Sequence, residues 1–342
     1  MTSTLDSATA TGPPMPTRLD LQRTLPLGHA RPDTDSALDP RALGTRYRVE
    51  RELGGAGASR VLLARDLAAD RSVALKILGA GADAAERARF DREIALTARL
   101  RHPGVIEVLD AGRVGPGGST YYVMPYVGAE SLHERIARHG PLAVGDALRI
   151  AHALAGALAH AHAHGVVHRD VKPANVLLAG ARPVLIDFGI ACTLDGDVGG
   201  ERITATGSLV GTPTYMSPEQ AAGDGGVDGR ADVYALGCVL YEMLTGEPPF
   251  SGRTDVVLCR RLRERPPHPR HRRRDIPADV DAAVVRALAP LPTARYDSAA
   301  AFAAALERAL ARDAGRAERG EPWHTRGWRV LRSLGLALTI GA

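Results

Sequence analysis

The run His168-Arg169-Asp170-Val171-Lys172-Pro173-Ala174-Asn175, followed twelve residues after Asn175 by Asp187-Phe188-Gly189, sets two carboxylates, an amide and a lysine in two adjacent loops. Oxygen donors of this kind hold Mg²⁺, and a carboxylate beside them can orient a hydroxyl for attack. Any three-residue piece of this set could arise by chance, but the ordered set hardly could. The lysine is itself unusual. Of 43 Lys plus Arg residues only Lys76 and Lys172 are lysine, the other 41 being arginine. The high alanine content and the scarcity of Phe and Asn point to a GC-rich genome as the source of the bias. A surface lysine becomes arginine at little cost, whereas a compact ammonium in a confined site cannot become a wide planar fork. Both survivors are therefore marked as tight, functional positions.

Two kinds of element must position these groups. Tyr47 to Leu53 leads into Gly54, Gly55 and Gly57, and two β-rich runs follow, Val61 to Ala64 and Val73 to Leu78, separated by a polar turn at Asp66 to Ser72. This pattern predicts a small antiparallel sheet carrying Lys76. Residues 84–100 place Phe90, Ile94, Leu96 and Leu100 among charges, an amphipathic helix ended by His102-Pro103-Gly104. From about residue 129 the balance shifts to helix, with apolar stretches at 145–164, 233–244, 280–288 and 299–310. The fold class read from this order is α+β, a small β-rich lobe (45–127) followed by a larger α-helical lobe (128–312).

At 342 residues, 45% hydrophobic and 24% charged, the composition excludes collagen, a disulfide scaffold and a many-spanning membrane protein. A net charge of +4 is too mild to argue for nucleic acid, and none is expected as a partner. The dense run Arg270, Arg272, Arg273, Arg274, flanked by Pro266, Pro267 and Pro269, reads as a solvated loop. Three cysteines without C-x-x-C spacing fit a reducing compartment, with Cys192 a small apolar spacer. His152, His160, His162 and His164 imitate a metal cluster, but i, i+2, i+4 spacing sends the middle residue to another helix face and no carboxylate or cysteine accompanies them. Residues 1–44 read as a disordered arm. Residues 313–342 read as a basic linker and a short apolar tail. The last ten, from Ser333, would span about 15 Å as a helix against a hydrocarbon core of roughly 30 Å. They are too short to cross a bilayer, though with Trp328 and the arginines ahead of them they suit weak interfacial contact. A cytoplasmic location, peripheral to a membrane if the tail docks, is the expectation.

Across residues 46 to 312 the sequence resembles the protein kinases, specifically the bacterial serine/threonine kinases of eukaryotic type. The resemblance implies a bilobal fold, ATP with Mg²⁺ (or Mn²⁺) and protein substrates. It assigns Asp170 as catalytic base, Asn175 and Asp187 as Mg²⁺ ligands and Lys172 as the contact to the transferring phosphate. Lysine two residues after the catalytic Asp matches the Ser/Thr pattern. In Val73-Ala74-Leu75-Lys76, Lys76 matches the lysine on the α- and β-phosphates, and Glu93, in preference to Glu86 or Asp91, matches its helix partner. Leu53-Gly54-Gly55-Ala56-Gly57-Ala58-Ser59-Arg60-Val61 aligns with the glycine-rich loop through Gly54 and Val61, but Ala56 and Ser59 stand where the second and third glycines belong. Ala56 predicts weaker closure over the phosphates, with Gly57 as partial compensation. Met124 corresponds to the gatekeeper and Pro125-Tyr126-Val127 to the hinge, with Val61, Ala74 and Leu177 around the purine. Proline at 125 removes a backbone donor that the hinge does not use.

Between Asp187 and Glu219 the sequence is similar to an activation loop closing in Gly211-Thr212-Pro213-Thr214-Tyr215-Met216-Ser217-Pro218-Glu219, with Ser217 in place of the commoner alanine. The resemblance sets Thr212 near Asp170 and Lys172, pairs Glu219 with Arg295, and makes Asp232 a brace for the catalytic loop. Thr204 and Thr206, eight and six residues before Thr212, match the autophosphorylated pair, with Arg169 as the guanidinium that a phosphothreonine would meet and a homodimer as the vehicle for reaction in trans. Two alternatives are a small-molecule kinase, disfavoured by the long loop ending in Ser217-Pro218-Glu219, and a pseudokinase scaffold, for which Ala56 is the one argument.

Overall fold

A computed structural model describes residues 46–56, 58–79, 81–114, 119–180, 182–188, 192–193 and 214–318. The arm at 1–44, Gly57, Thr204, Thr206, Thr212 and the tail from Ser333 lie outside the described residues. In chain order the elements are β1 (Tyr47–Ala56), β2 (Ser59–Asp66), β3 (Arg71–Leu78), α1 (Ala84–Arg99), β4 (Asp110–Val114) and β5 (Ser119–Pro125). They continue with α2 (Leu132–His139), α3 (Val144–Ala163), β6 (Val166–Val167), β7 (Val176–Ala179), β8 (Arg182–Leu185) and β9 (Cys192–Thr193). The remainder is helical: α4 (Pro218–Ala221), α5 (Arg230–Thr245), α6 (Thr254–Arg263), α7 (Pro269–Arg272), α8 (Ala278–Ala287) and α9 (Ala299–Glu318).

The first lobe is an antiparallel sheet in the order β1-β2-β3-β5-β4. Successive side chains of a strand face opposite ways, so β3 feeds two cores. Val73, Leu75 and Ile77 pack with Tyr47, Leu62 and Val123 on one face. Ala74 and Leu78 pack with Phe90, Ile106, Tyr122 and Met124 on the face covered by α1. Lys76 lies between Ala74 and Leu78 in that alternation, which aims its ammonium at α1. The helix starts at a capping box, the Asp83 side chain accepting from the Glu86 amide and the Glu86 carboxylate from the Asp83 amide. Its inward residues Phe90, Glu93, Leu96 and Thr97 follow a helical period, and one of them is a carboxylate.

The second lobe surrounds α5, whose residues from Ala231 to Leu244 are all buried, as befits a helix enclosed on every side. Around it, α3, α8 and α9 contribute Leu148, Leu154, Leu158, Val284, Phe302 and Leu306 to one continuous core. Three elements differ from the sequence reading. The last helix continues to Glu318 rather than ending near Leu310, because residues 311–318 include Ala311, Ala314 and Ala317 and Arg312 donates to Asp279 at 3.2 Å. The arginine-rich run is solvated at Arg270, Arg272 and Arg274, but it is not wholly a loop. It forms α7, and Arg273 turns inward to donate to the Leu142 carbonyl at 2.6 Å and the Leu244 carbonyl at 3.1 Å. The histidines are likewise not without a carboxylate, since His162 Nε2 lies 2.8 Å from Asp232 Oδ2, contributed by α5 seventy residues later. Among the described residues no group of three or more His, Cys, Asp or Glu could hold a metal ion, and no helix is long and apolar enough to cross a membrane.

Candidate active site

Lys76 Nζ donates to Glu93 Oε1 at 2.7 Å and to Asp187 Oδ1 at 2.9 Å, so one ammonium joins β3, α1 and the loop after β8. Burial works against its charge, but the carboxylates of Asp187 and Glu93 outweigh that and hold the lysine pKa above its ordinary value. Burial raises the Glu93 pKa, and Lys76 offsets this only in part. Glu93 has a second donor that the sequence reading missed, the Tyr122 hydroxyl at 2.7 Å to the same Oε1. The available signal was the two-residue alternation of β5, which sends Tyr122 and Met124 to the α1 side.

Asp170 and its neighbours form a second cluster. Lys172 Nζ meets Asp170 Oδ2 at 2.7 Å, and Asn175 Nδ2 donates to the same oxygen at 3.1 Å and to the Asp170 carbonyl at 2.9 Å. With its nitrogen so used, the amide presents its oxygen. Both loops are strained, Arg169 having φ +65° in this one and Asp187 φ +67° in the loop after β8, left-handed values that non-glycine residues seldom adopt. Asp232 supplies the restraint, accepting the His168 amide at 2.9 Å and the Arg169 amide at 2.8 Å while fully buried. Hydrogen bonds and charge from His162 and His168 overcome the burial penalty and lower the Asp232 pKa. His168 then ties the two loops together, its ring 4.5 Å from that of Phe188 and its Nε2 3.2 Å from the Ile186 carbonyl.

Between the clusters the apolar positions divide. Leu53, Val61, Ala74, Met124 and Val127 share one hydrophobic cluster, which Val184 and Ile186 complete from the other lobe. Leu177, on β7 opposite Val184, lies outside that cluster. Gly54, Gly55 and Ala56 end β1, and Ala56 pairs with Ser59, the first residue of β2. A Cβ at Gly55 would stand 2.5 Å from the Ser59 carbonyl, so the hairpin needs glycine at 55.

On the side facing the chain before α4, Ser217 caps that helix, accepting from the Gln220 amide, and Gln220 donates onward to the Arg169 carbonyl at 3.1 Å. That gives the serine a local role. Glu219 and Arg295 form a bidentate pair with both bonds at 2.7 Å, and the buried guanidinium also serves the carbonyls of Ala289, Arg230 and Pro290. Arg261, buried on α6, donates to the carbonyls of Thr214 and Met216. Tyr215 donates to Glu242 at 2.6 Å, and burial pushes the Glu242 pKa up to about 6.

Oxygen donors at Asn175 and Asp187 and ammonium groups at Lys76 and Lys172 suit a divalent cation bound with a polyphosphate. The protein kinase domain model matches residues 47–296. The serine/threonine-protein kinase PknB of Mycolicibacterium smegmatis is 44% identical over 275 residues, 79% of this chain and 44% of that protein. The serine/threonine-protein kinase pkn3 of Myxococcus xanthus is 40% identical over 286 residues, 81% of this chain and 52% of its own. The chain thus spans about half the length of the curated relatives it matches. Among solved structures, the kinase domain of Mycobacterium tuberculosis PknI superposes with a TM-score of 0.59 at 35% identity, covering 77% of this chain and 96% of that one. A match that runs from the first strand to the residue after Arg295, across both polar clusters and the apolar one between them, leaves one conclusion: the chain belongs to the protein kinase family, among its bacterial serine/threonine members.

Proposed function

We propose that the chain transfers the γ-phosphoryl group of ATP to serine and threonine hydroxyls of proteins. The observation that carries this reading is the pair of bonds on Asp170 Oδ2, from Lys172 and Asn175, which orients the carboxylate and leaves neither donor on Oδ1. Asp170 takes the proton of the incoming hydroxyl as its oxygen bonds to phosphorus, and the bond from phosphorus to the β-phosphate oxygen breaks to release ADP. Lys76, fixed by Glu93, holds the α- and β-phosphates, and Lys172 lies beside the transferring group. Asn175 and Asp187 would hold Mg²⁺, or Mn²⁺, which when bound neutralises charge on the phosphate oxygens. The cluster of Leu53, Val61, Ala74, Met124 and Val127, with Leu177 near it, encloses the purine, and Gly54, Gly55, Ala56 and Gly57 cover the phosphates.

Activation by autophosphorylation at Thr204, Thr206 or both belongs to the same proposal, with a second copy of the chain as substrate and Thr212 as a contact to the catalytic loop. Arg169 supports it: its Nη2 donates to the Val227 carbonyl at 3.1 Å, while its buried Nε has no partner among the described residues. Membrane contact, where it occurs, is assigned to the tail from Ser333. The test is incubation of wild type and Asp170→Asn with γ-labelled ATP, Mg²⁺ and a generic protein substrate, followed by phosphopeptide mapping. Wild type should label the substrate and its own threonines, and Asp170→Asn should be slower by on the order of 10²–10⁴-fold. No incorporation by wild type would favour a scaffold. Incorporation without modified Thr204 or Thr206 would remove the activation step.

A further inference from the structure

Two strands converge on one carboxylate oxygen. In the β3–β5 ladder Lys76 stands directly opposite Tyr122, and both reach Glu93 Oε1, each at 2.7 Å. Tyr122 is buried, and its ring packs on Phe90, one turn before Glu93 on α1, with centroids 5.6 Å apart. One side chain of the sheet therefore grips α1 at two successive inward positions, by ring contact and by hydrogen bond. The two donors are not equivalent. The Lys76 ammonium is shared with Asp187 and would be shared again with phosphate oxygens, whereas the single proton of Tyr122 is committed to Glu93. Burial and the nearby carboxylates keep the phenol protonated, so it stays a donor.

We propose that Tyr122 is a positioning residue that holds α1 in its docked place through Glu93 before nucleotide binds, independently of Lys76. The inference rests on the kinase reading for its kinetic consequence but not for its structural one. If the phenol holds α1, then a chain without it must recruit the docked state from a mixture, and apparent nucleotide affinity falls by the fraction that remains competent.

Tyr122→Phe removes one oxygen and keeps the ring against Phe90. In wild type without nucleotide, amide hydrogen exchange in residues 84–99 should be slow. In Tyr122→Phe it should accelerate about tenfold, the range of a hydrogen bond to a charged group, and return to the wild-type rate with saturating Mg²⁺ and a non-hydrolysable ATP analogue. KM for ATP should rise by a similar factor with kcat nearly unchanged. A second pair of variants tests the claim apart from catalysis: α1 should stay protected in Lys76→Met and be released in Lys76→Met/Tyr122→Phe. Unchanged α1 exchange in Tyr122→Phe, or full release of α1 in Lys76→Met alone, would overturn the proposal. An inactive wild type with Tyr122-dependent α1 exchange would instead sink the kinase reading and leave the tie standing.

Discussion

Asp232 and Glu242 sit on the same buried helix, α5, and their acidities move in opposite directions. Asp232 receives the His168 and Arg169 amides and faces His162, so its carboxylate is favoured and its pKa falls. Its stabilising effect is complete above the ordinary aspartate value of 3.8 and disappears as pH falls through the lower folded value. Glu242 is buried with the Tyr215 hydroxyl as its hydrogen-bond donor, and its pKa rises from 4.5 to about 6. The folded protein holds that proton more tightly than the unfolded chain, so stability falls as pH climbs from 4.5 to about 6 and stays lower above it. A rise of this size corresponds to about 2 kcal/mol. Glu242→Gln keeps an oxygen for Tyr215 and has no charge to bury. Urea denaturation should find the variant more stable than wild type by about 2 kcal/mol at pH 8 and equal to it at pH 4.5. A difference that does not change with pH would refute this account.

The end of α5 shows how elements are fastened where sequence periodicity is silent. Gly246 ends the helix at φ +85°, its amide returning to the Glu242 carbonyl at 2.8 Å. Beside it Arg273 donates to the carbonyls of Leu244 and Leu142, joining the end of α5 to the segment before α3. Arg273→Ala should lower stability by about 1–2 kcal/mol through those carbonyls. Asp275→Ala removes only the half-exposed carboxylate paired with the same guanidinium and should cost well under about 1 kcal/mol. Equal losses in thermal unfolding would mean that the ion pair, not the carbonyls, is what matters. The helices α3, α5 and α8 were legible because each is a long apolar stretch in the sequence. Arg273 and Arg261 were not, because an arginine that serves distant carbonyls looks like any other charge. Capping boxes at Asp83 with Glu86 and at Ser131 with Glu134 start α1 and α2.

The two lobes meet where Lys76 of the sheet touches Asp187 of the helical lobe, and this joint was the most legible part of the chain. Local motifs named Lys76, Asp170, Lys172, Asn175 and Asp187, and spacing chose Glu93. What sequence could not name were the second-layer partners, Tyr122 on Glu93 and His162 on Asp232, since each depends on which strand or helix folds against which. The two lysines carry a consequence for covalent chemistry. Each is an ion-paired, mostly buried group in the cleft, and the sequence has no other lysine. Every side-chain amine the sequence offers to an acylating agent therefore lies in the proposed nucleotide site, with no bystander on the surface. Treatment with an N-hydroxysuccinimide ester should yield at most two side-chain amides by peptide mass spectrometry, should be slowed by ATP with Mg²⁺, and should abolish phosphoryl transfer in proportion to lysine modified. Full acylation of both with activity intact would contradict it. For most proteins acylation of lysine is a diffuse change of surface charge; for this one it is an active-site lesion.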